Sequence, residues 1–386
     1  MRPEDEFENT SLTPSHLASR KARKERAREK RRRTVFRVFR NTVLSVVGFV
    51  VLFVLGCYAV GFGTPWGQKQ RLVLAETIIS TRHYYLAQYI TTKKEYNQLA
   101  AQLHAPVVAS GIPTSVHVAP VPTTAATPSQ AKTKTNVIEV HPISGKGYNG
   151  YVMLVHDPRL VRLVPAVVHG AMGQYITDIA KQSGAVAGTN ASGFEDPNGN
   201  GWGGIPVGLE MVGGQVIHAP QSSGDWATVG FTKSGLLVMG HYSVAQLRNM
   251  GVQDAMQFHP ELVVNSKPMI TVGDGGWGYG PRTAIGQAKD GTVIFVVING
   301  RFEGGSGMGA SQRQVMDIML QYGAVNACAM DGGSSSVLYH NGKIINSPST
   351  IDPNGQRHLP DAWMVFPTVQ SAAVEQAAPA AAVSAN

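Results

Sequence analysis

The stretch AVNACAMDGGSSSVLYHNGKIINSP, residues 324–348, contains the pattern on which the fold and the candidate site depend. A small, mostly apolar run ends at the single carboxylate Asp331. Two glycines, three serines and a second β-like run with a turn at Asn341-Gly342 follow it. Apolar runs of this length, bounded by Gly and Asn-Gly signals, are typical of strands. The stretch therefore predicts a strand, a polar loop at its end, and a pair of strands joined by a turn.

Similar short runs surround this stretch and alternate with glycine-rich turns. They are YVMLVHD, RLVPAVV, GLEMVGGQVI, GLLVMG, ELVVNSKPMI and TVIFVVING. Helical patterns are fewer: one covers residues 172–184 and a clearer one covers 311–323, with Ser311 as N-cap, Gln314 at the capping-box position and Gly323 as the stop. Strands dominate and helices are inserted, so we predict an α+β domain of mostly antiparallel sheet.

The N-terminal part of the chain predicts a membrane anchor. Residues 1–40 form a basic tail with 13 Lys or Arg and 6 Asp or Glu, and an uncharged apolar run follows from Asn41 to Gln68. About 20 apolar residues span a bilayer as a helix, and basic residues favour the cytoplasmic side. We predict a transmembrane helix over 41–65, with the N-terminus in the cytoplasm. A cleaved signal peptide or a lipoprotein site at Cys57 is disfavoured by the long preceding region.

The remaining chain divides by composition. Residues 66–104 contain no Pro and only one Gly and predict a helical stalk, with a helix running from Gln68 to His104. Residues 105–135 are rich in Pro, Ala and Thr and predict a linker, residues 136–368 a folded domain, and residues 369–386 a disordered tail. The two cysteines, Cys57 and Cys328, lie in apolar contexts, so no internal disulfide is expected. This favours a bacterial cell surface over an animal secretory pathway.

Several functions are excluded or disfavoured. Residues 136–368 hold 13 basic and 16 acidic residues, so the positive charge lies in the tail and no nucleic-acid partner is expected. No HExxH motif and no Cys pair with zinc spacing is present. The loop GGSGMGAS, residues 304–311, lacks the Lys of a P-loop, although its N–H groups precede a helix where an anion can bind. The sequence requires no cofactor; calcium at Asp196 or Asp352 stays open, without ordered ligand spacing.

Polar residues recur at the ends of apolar runs, next to glycines. They are Asn190 in TNASGF, Arg282 in GYGPRTAIG, Asn299 and Arg301 in VVINGRFEGG, Asp331 in MDGGSSS, and Arg357 with His358 in NGQRHLPDAW. Each one alone fits a satisfied turn or a surface salt bridge. Three converging arginines and one carboxylate would suit an anionic substrate, because Arg binds phosphate through two parallel hydrogen bonds and glycine lets the backbone approach closely.

Three segments of the domain resemble the phosphodiester glycosidase family. They are PRTAIGQAKDGTVIFVVINGR (281–301), GMGASQRQVMDIMLQYGAVNACAMDGGSSSVLYHNGKIINSP (307–348) and RHLPDAWMV (357–365). The resemblance extends more loosely through AVAGTNASGFEDP (185–197) and IPVGLEMVGGQVI (205–217), and so covers most of residues 136–368. It implies a hydrolase that acts on a sugar 1-phosphodiester in a cell-surface or extracellular glycan, such as an exopolysaccharide.

The resemblance also implies which residues form the active site. Asp331, Arg282 and Arg301 are the expected catalytic residues, and the expected substrate-binding residues are Asn190, Thr283, Asn299, Gly332, Gly333, Ser334, Ser335 and Arg357. The chain departs from the family pattern twice. Asn299 stands where the family usually has an aspartate, and the segment from Asn190 to Phe194 has one glycine of the family pattern replaced.

The chemistry of a sugar 1-phosphodiester accounts for these residue types. Cleavage at the anomeric C–O bond passes through a transition state with oxocarbenium character, which a carboxylate such as Asp331 stabilises, attacks or supplies with activated water. The departing phosphate needs cations more than a proton, and Arg282 with Arg301 or Arg357 supplies them. Ser334 or Ser335 would hydrogen-bond the substrate. Further candidates are Glu210 and Glu303 as a second carboxylate, and Trp202, Trp277 and Tyr279 as stacking surfaces.

Two other functions stay open at this point. A non-catalytic carbohydrate-binding or exopolysaccharide-assembly protein would use the arginines and aromatic loops but would not need Asp331. A hydrolase of ordinary glycosidic bonds would act on a neutral aryl glycoside and tolerate the loss of Arg282.

Overall fold

The computed structural model describes residues 14–81, 83–104, 137–167, 172–196, 201–220, 224, 226–350 and 352–373. The predicted linker over residues 105–135 and the predicted tail from residue 374 onward lie outside these ranges. The chain divides into two compact units, with the boundary between Gln70 and Arg71.

The first unit contains the helix α1 (Pro14–Gly63). Its part from Arg28 to Gly63 is long and apolar enough to cross a membrane. Large apolar side chains such as Phe49 and Leu52 are each 71% exposed, whereas a core helix of a soluble domain would bury them. By length and composition, this N-terminal helix fits a membrane anchor or a signal sequence.

The second unit begins with a helical hairpin, which we define as residues 71–104. It consists of the end of α2 (Pro65–Ile79), a 3-10 turn (Tyr84–Tyr89) and α3 (Lys93–His104). Arg71 makes a bidentate ion pair with Glu95, at 2.7 and 3.0 Å. The hairpin has its own small core, formed by Ala75, Ile79, Ala87 and Leu99.

The single helix predicted from Gln68 to His104 is wrong in its middle part, because the helix ends at Ile79. The hydroxyl groups of Ser80 and Thr81 donate to the carbonyl groups of Thr77 and Ile78, at 2.9 and 2.8 Å. Such local side-chain bonds compete with the helical pattern.

Strands dominate the rest of the second unit. They are β1 (Ile138–Gly145), β2 (Tyr148–Val155), β3 (Val161–Pro165), β4 (Ala187–Asn190), β5 (Glu210–Val212), β6 (Gln215–His218), β7 (Trp226–Thr232), β8 (Leu237–Tyr242), β9 (Val252–Gln257), β10 (Glu261–Val264), β11 (Lys267–Pro268), β12 (Thr283–Ala288), β13 (Val293–Ile298), β14 (Ala324–Met330), β15 (Leu338–His340), β16 (Lys343–Ile344) and β17 (Asp361–Val365). The helices among them are α4 (Ile176–Ser183), α5 (Val244–Asn249) and α6 (Gln312–Gln321), with 3-10 turns at Pro158–Leu160 and Gly333–Ser335.

The strands form three sheets, and every pairing within them is antiparallel. The first sheet has the order β1-β2-β13-β12-β14-β10-β11, the second β16-β15-β4-β17-β3, and the third β6-β5-β9-β7-β8. The predicted α+β class with mostly antiparallel sheet is confirmed.

The first sheet is buried on both faces, which explains the continuous apolar run of β13. Successive strand residues point to opposite faces. Ile294, Val296 and Ile298 pack with side chains of α6 on one face, whereas Phe295 and Val297 join the core shared with the second and third sheets. The helix and the two other sheets therefore cover β12, β13 and β14 and leave their ends available for a site.

The helix α6 begins and ends where the sequence predicts. The Ser311 hydroxyl accepts from the N–H of Gln314, and the Gln314 side chain accepts from the N–H of Ser311, so the capping box is complete. Gly323, with φ of +81°, follows the end of the helix.

A buried ion pair joins the second and third sheets. Arg162 on β3 donates to Asp254 on β9 through Nε and Nη2, and the side chain of Asp254 is only 1% exposed. The same carboxylate accepts from the N–H of Gly213, at 3.0 Å. Removing one partner of such a pair leaves a buried charge without compensation.

We expect Asp254→Ala to destabilise the folded protein by about 3–5 kcal/mol, because Arg162 would lose its buried partner. Asp157→Ala, which breaks the more exposed Arg159–Asp157 pair, should cost less than about 1 kcal/mol. Denaturant unfolding of the full chain in detergent, followed by tryptophan fluorescence, measures both. Equal losses in the two variants would contradict this role for Asp254.

Candidate active site

Strand ends from two sheets meet at one place. β12 pairs with β13 and β14, and it begins where those two strands end. Arg282 precedes β12, whereas Arg301 and Asp331 follow β13 and β14. Antiparallel pairing therefore places all three at one edge of the first sheet. β4 of the second sheet meets this edge, since the N–H of Asp331 donates to the carbonyl of Ala191, just after β4 (3.2 Å).

Asn190, at the end of β4, ties these strand ends together. Its Nδ2 donates to the carbonyl of Asp331 (2.6 Å), and its Oδ1 accepts from the Thr283 hydroxyl (2.9 Å) and the N–H of Val337 (3.2 Å). Asn190 and Thr283 are 0% and 1% exposed. The structure thus places these two predicted substrate-binding residues beneath the site, where their polar groups hold one another and the Asp331 backbone.

The two glycines after Asp331 are there because the backbone approaches itself closely. A Cβ on Gly332 would lie 2.9 Å from the carbonyl oxygen of Pro281, and Gly333 has φ of +62°, a conformation that glycine adopts without strain. The N–H of Gly333 donates to the same carbonyl, at 3.0 Å. A 3-10 turn follows, which leaves Ser334 half-buried and Ser335 buried.

Asp331 is partly exposed, and its environment favours the neutral form more than water does. Burial raises the pKa of Asp331 to about 6, against the stabilising effects of the Ser335 hydroxyl, the charge of Arg357 and the N–H of Gly332. A carboxyl group with this pKa is ionised at neutral pH but is a stronger base than an ordinary aspartate.

A pair of carboxyl groups, those of Asp361 and Glu210, lies next to Asp331. Glu210 was predicted from the sequence, whereas Asp361 was not. Asp361, at the start of β17, accepts from the N–H and the hydroxyl of Ser192 and is fully buried. Burial, with a contribution from the charge of Asp331, raises the pKa of Asp361 to about 6. Burial and the neighbouring Asp361 raise the pKa of Glu210 well above its usual range. An acid directly before the apolar run AWMVF was the available signal.

Arg282 is buried and is held by main-chain carbonyl groups. Its Nε donates to the carbonyl of Ala310 (3.2 Å), and its Nη2 donates to those of Trp277 (2.7 Å) and Gly278 (2.8 Å). Burial, followed by the neighbouring charge of Arg301, lowers the pKa of Arg282 to about 10. The guanidinium is oriented but not neutralised by these contacts.

Arg301 lies beside Arg282. A Cβ on Gly280 would be 3.0 Å from Nη2 of Arg301 and 3.8 Å from Cζ of Arg282. Nη2 of Arg301 donates to the carbonyl of Tyr279 (3.0 Å), while its Nε is buried without a partner in the described chain. Among the described residues, neither arginine has an ion-pair partner. The charge of Asp274 acts on Arg282 without forming an ion pair with it. Two adjacent guanidinium groups with no directly paired carboxylate favour an anion between them.

Arg357 and Asn299 are engaged differently. Arg357 pairs with Asp196 (3.1 Å), stacks on the ring of Phe194 (4.4 Å to its centroid) and lies close enough to lower the pKa of Asp331. Both groups of the Asn299 amide bind protein: Nδ2 donates to Oδ1 of Asn149 (2.8 Å), and Oδ1 accepts from the N–H of Ser347 (2.9 Å).

The remaining candidates are the three aromatic residues and the carboxylate of Glu303. Trp277 packs edge-on against Phe258 and His259, and the guanidinium of Arg282 lies 5.8 Å from its ring centroid. Trp202 and Tyr279 are 47% and 36% exposed. Glu303, the other second-carboxylate candidate, is exposed in the turn after Arg301.

Metal ligands do not cluster in the described part of the chain, where no group of three or more His, Cys, Asp or Glu side chains could hold an ion. Of the two acids considered for calcium, Asp196 pairs with Arg357, and Asp352 accepts from the Tyr175 hydroxyl (2.8 Å) and the N–H of Asn354 (2.8 Å).

Known proteins share this arrangement of strands. A family model of phosphodiester glycosidases matches residues 183–366. The SPbeta prophage-derived uncharacterized protein YomE of Bacillus subtilis (strain 168) is 32% identical over 183 residues, which are 45% of this chain and 27% of that protein. This chain thus matches little more than a quarter of that relative's length.

A solved structure shares the fold. The catalytic domain of zebrafish N-acetylglucosamine-1-phosphodiester alpha-N-acetylglucosaminidase, auto-inhibited by its pro-peptide, has a TM-score of 0.51 at 19% identity. The match covers 61% of this chain and 85% of the zebrafish domain. The matched range 183–366 contains β4, β12, β13, β14 and β17 with the residues described above. Residues 183–366 of this chain therefore resemble the phosphodiester glycosidase family in sequence, and the domain shares the fold of the zebrafish enzyme.

Proposed function

We propose that this chain is a membrane-anchored, extracytoplasmic hydrolase that cleaves a sugar 1-phosphodiester in a cell-surface or extracellular glycan and releases the sugar and a phosphomonoester. The observation that carries the proposal is the adjacent pair of Arg282 and Arg301, which has no ion-pair partner in the described chain and lies at the sheet edge that bears Asp331. The match of residues 183–366 to the phosphodiester glycosidase family model supports it.

The leaving group accounts for the arginine pair. The bond between the anomeric carbon and the bridging oxygen breaks, and its electron pair stays on the phosphate oxygen. Negative charge on the phosphate grows in this step, and Arg282 and Arg301 stabilise it more in the transition state than in the bound substrate. Their hydrogen bonds to main-chain carbonyl groups hold them in place before the reaction.

The sugar side accounts for the carboxyl groups. The anomeric carbon becomes positive, and the Asp331 carboxylate stabilises it and accepts a proton from the water whose hydroxide adds to that carbon. Burial and the neighbouring Asp361 favour the protonated form of Glu210. Asp361 hydrogen-bonds with Glu210, and the charge of Asp331 raises the pKa of Asp361 further.

The N-terminal part of the chain supports the location. The apolar stretch of α1 could cross a membrane, and the basic residues before it favour the cytoplasmic side for the N-terminus. The domain would then act outside the cytoplasm, where phosphorylated surface polysaccharides are its substrates.

A hydrolase of ordinary glycosidic bonds is the second candidate. One observation favours it: Asp331 and Asp361 are neighbouring carboxyl groups whose pKa values both rise to about 6, as in a two-carboxylate glycosidase site.

Arg301→Ala separates these two functions. We expect it to lower kcat/KM for a sugar 1-phosphodiester about 10²–10³-fold, because it removes a cation from the leaving phosphate. A neutral aryl glycoside, if hydrolysed at all, should lose less than about threefold, since its leaving group carries no phosphate. Release of the sugar measures hydrolysis of both substrates, and release of the phosphomonoester measures hydrolysis of the phosphodiester alone.

Two variants control this experiment. Arg248→Ala removes an arginine of α5, in the third-sheet region, and should leave both activities unchanged. Asp331→Asn should abolish turnover of both substrates while it leaves phosphate binding intact. If cells that carry Asp331→Asn kept the full function of the protein, this would exclude a catalytic role and favour the carbohydrate-binding function. Equal losses on both substrates in Arg301→Ala would contradict the role of Arg301 in stabilising the leaving phosphate.

The pH profile tests the carboxyl cluster. Because the pKa of Asp331 is raised to about 6 and the ionised form is active, kcat/KM should rise with pH through an apparent pKa near 6. Asp361→Asn removes a neighbouring negative charge and should move this acid limb to lower pH. A limb near pH 4 in the wild type, or no shift in the variant, would contradict the assignment.

A further inference from the structure

Three of the hydrogen bonds that orient the two arginines come from one short segment, the glycine loop (residues 273–280). Trp277 and Gly278 accept from Arg282, and Tyr279 accepts from Arg301. The loop sequence is GDGGWGYG, and Gly273, Gly275, Gly276 and Gly278 all have φ between +57° and +98°. Glycines allow this course but add conformational freedom, so the loop needs an external support.

The helical hairpin supplies a support, at Thr77 of α2. The N–H of Tyr279 donates to the Thr77 hydroxyl oxygen (3.0 Å), and Thr77 is only 4% exposed. The Thr77 hydroxyl donates its own proton to the carbonyl of Val73 (2.7 Å), which turns the oxygen lone pairs towards the loop. A Cβ on Gly278 would lie 2.2 Å from the same oxygen, so the loop backbone contacts the helix directly.

A second contact lies one residue earlier. Burial, then the charge of Asp274 and a hydrogen bond with it, raise the pKa of Glu76 to about 8. A pKa of about 8 favours the protonated form of Glu76 beside Asp274 at neutral pH. The Asp274 side chain accepts from the N–H of Gly276 (3.0 Å), and its carbonyl accepts from the N–H of Arg313 at the start of α6 (3.0 Å).

Two sets of contacts within the helical hairpin hold Thr77 in place. Its core of Ala75, Ile79, Ala87 and Leu99 is at most 7% exposed. The bidentate pair of Arg71 with Glu95 joins α2 to the start of α3.

We propose that the helical hairpin is part of the active site, and that Thr77 is a positioning residue which fixes the glycine loop and, through it, the guanidinium groups of Arg282 and Arg301. The proposal rests on the proposed function insofar as the two arginines bind phosphate. Thr77 does not touch the substrate; it acts through the main chain of residues 277–279.

Thr77→Val tests the proposal, because valine keeps the shape of threonine and cannot accept from the N–H of Tyr279. Thr77→Ser keeps the hydroxyl. Thr91→Val is the matched control: its hydroxyl also donates to a carbonyl four residues earlier, that of Ala87 (2.8 Å), and it lies elsewhere in the hairpin. All variants are made in the full chain in detergent.

Two readouts keep the proposal and the proposed function distinct. The first is the Kd for inorganic phosphate, measured by calorimetry and independent of turnover. The second is kcat and KM for a sugar 1-phosphodiester. We expect Thr77→Val to weaken phosphate binding and lower kcat/KM, each about tenfold or more. Thr77→Ser should restore both to within about threefold of wild type, Thr91→Val should change neither, and thermal stability should differ little between the two valine variants.

Each outcome decides the matter. Phosphate binding that is lost only in Thr77→Val supports the proposal even if no phosphodiester is hydrolysed, a result that would count against the proposed function alone. Unchanged phosphate affinity in Thr77→Val, or no phosphate binding by the wild type, would overturn it. Higher activity in Thr77→Val would also overturn it, because the hairpin would then obstruct the site.

Discussion

The side chain of Asn190 is the interaction on which the site depends. One buried amide binds the carbonyl of Asp331 and the hydroxyl of Thr283, and so joins β4 of the second sheet to β14 and β12 of the first. The Asn190 amide and the Thr283 hydroxyl are buried, so either of them left without its bond would cost its full desolvation. Because losing these bonds is costly, they fix the position of the second sheet relative to the first, although no strand of one sheet pairs with a strand of the other. As a result, the backbone at Asp331 is held in place, and the position of its carboxylate follows from it.

Four ionisable groups of the site are placed where their charged forms are disfavoured. Burial raises the pKa values of Asp331 and Asp361 and lowers those of Arg282 and Arg301. The arginines lie together before β12 and after β13, whereas the carboxyl groups lie together where β14 meets β17. A reacting group that becomes negative at one end and positive at the other stabilises the charged forms of both clusters: its negative end interacts with the two arginines and its positive end with the two carboxylates. The bond between an anomeric carbon and a phosphate oxygen has this polarity in its transition state.

Local patterns predicted many of the elements, although not the break in the helix after Ile79, and burial explains what they missed in the site. The capping box of α6, the stop at Gly323 and the turn at Asn341-Gly342 are each specified within a few residues, and the structure has all three. Asp361 was missed, because an acid before an apolar strand resembles a turn residue until its contact with Ser192 is known. Asn299 was expected to bind the substrate, but only the fold reveals that Asn149 and Ser347 occupy its amide. The contact between Thr77 and Tyr279 leaves no sequence pattern, since the two residues are 202 positions apart.

The glycine loop needs support from outside the strands that carry the candidate site. A Cβ at Gly280 would lie 3.0 Å from Nη2 of Arg301, which is tighter than an ordinary contact, and a Cβ at Gly309 would lie 2.3 Å from the Gly280 backbone. Close approach of backbone to guanidinium therefore requires glycine, and glycine adds freedom that the loop itself cannot remove. A hydrogen bond from a packed helix removes that freedom without placing a side chain in the site. Because the backbone around the two arginines consists largely of glycine, the loop needs the hydrogen bond that the hydroxyl of Thr77 accepts.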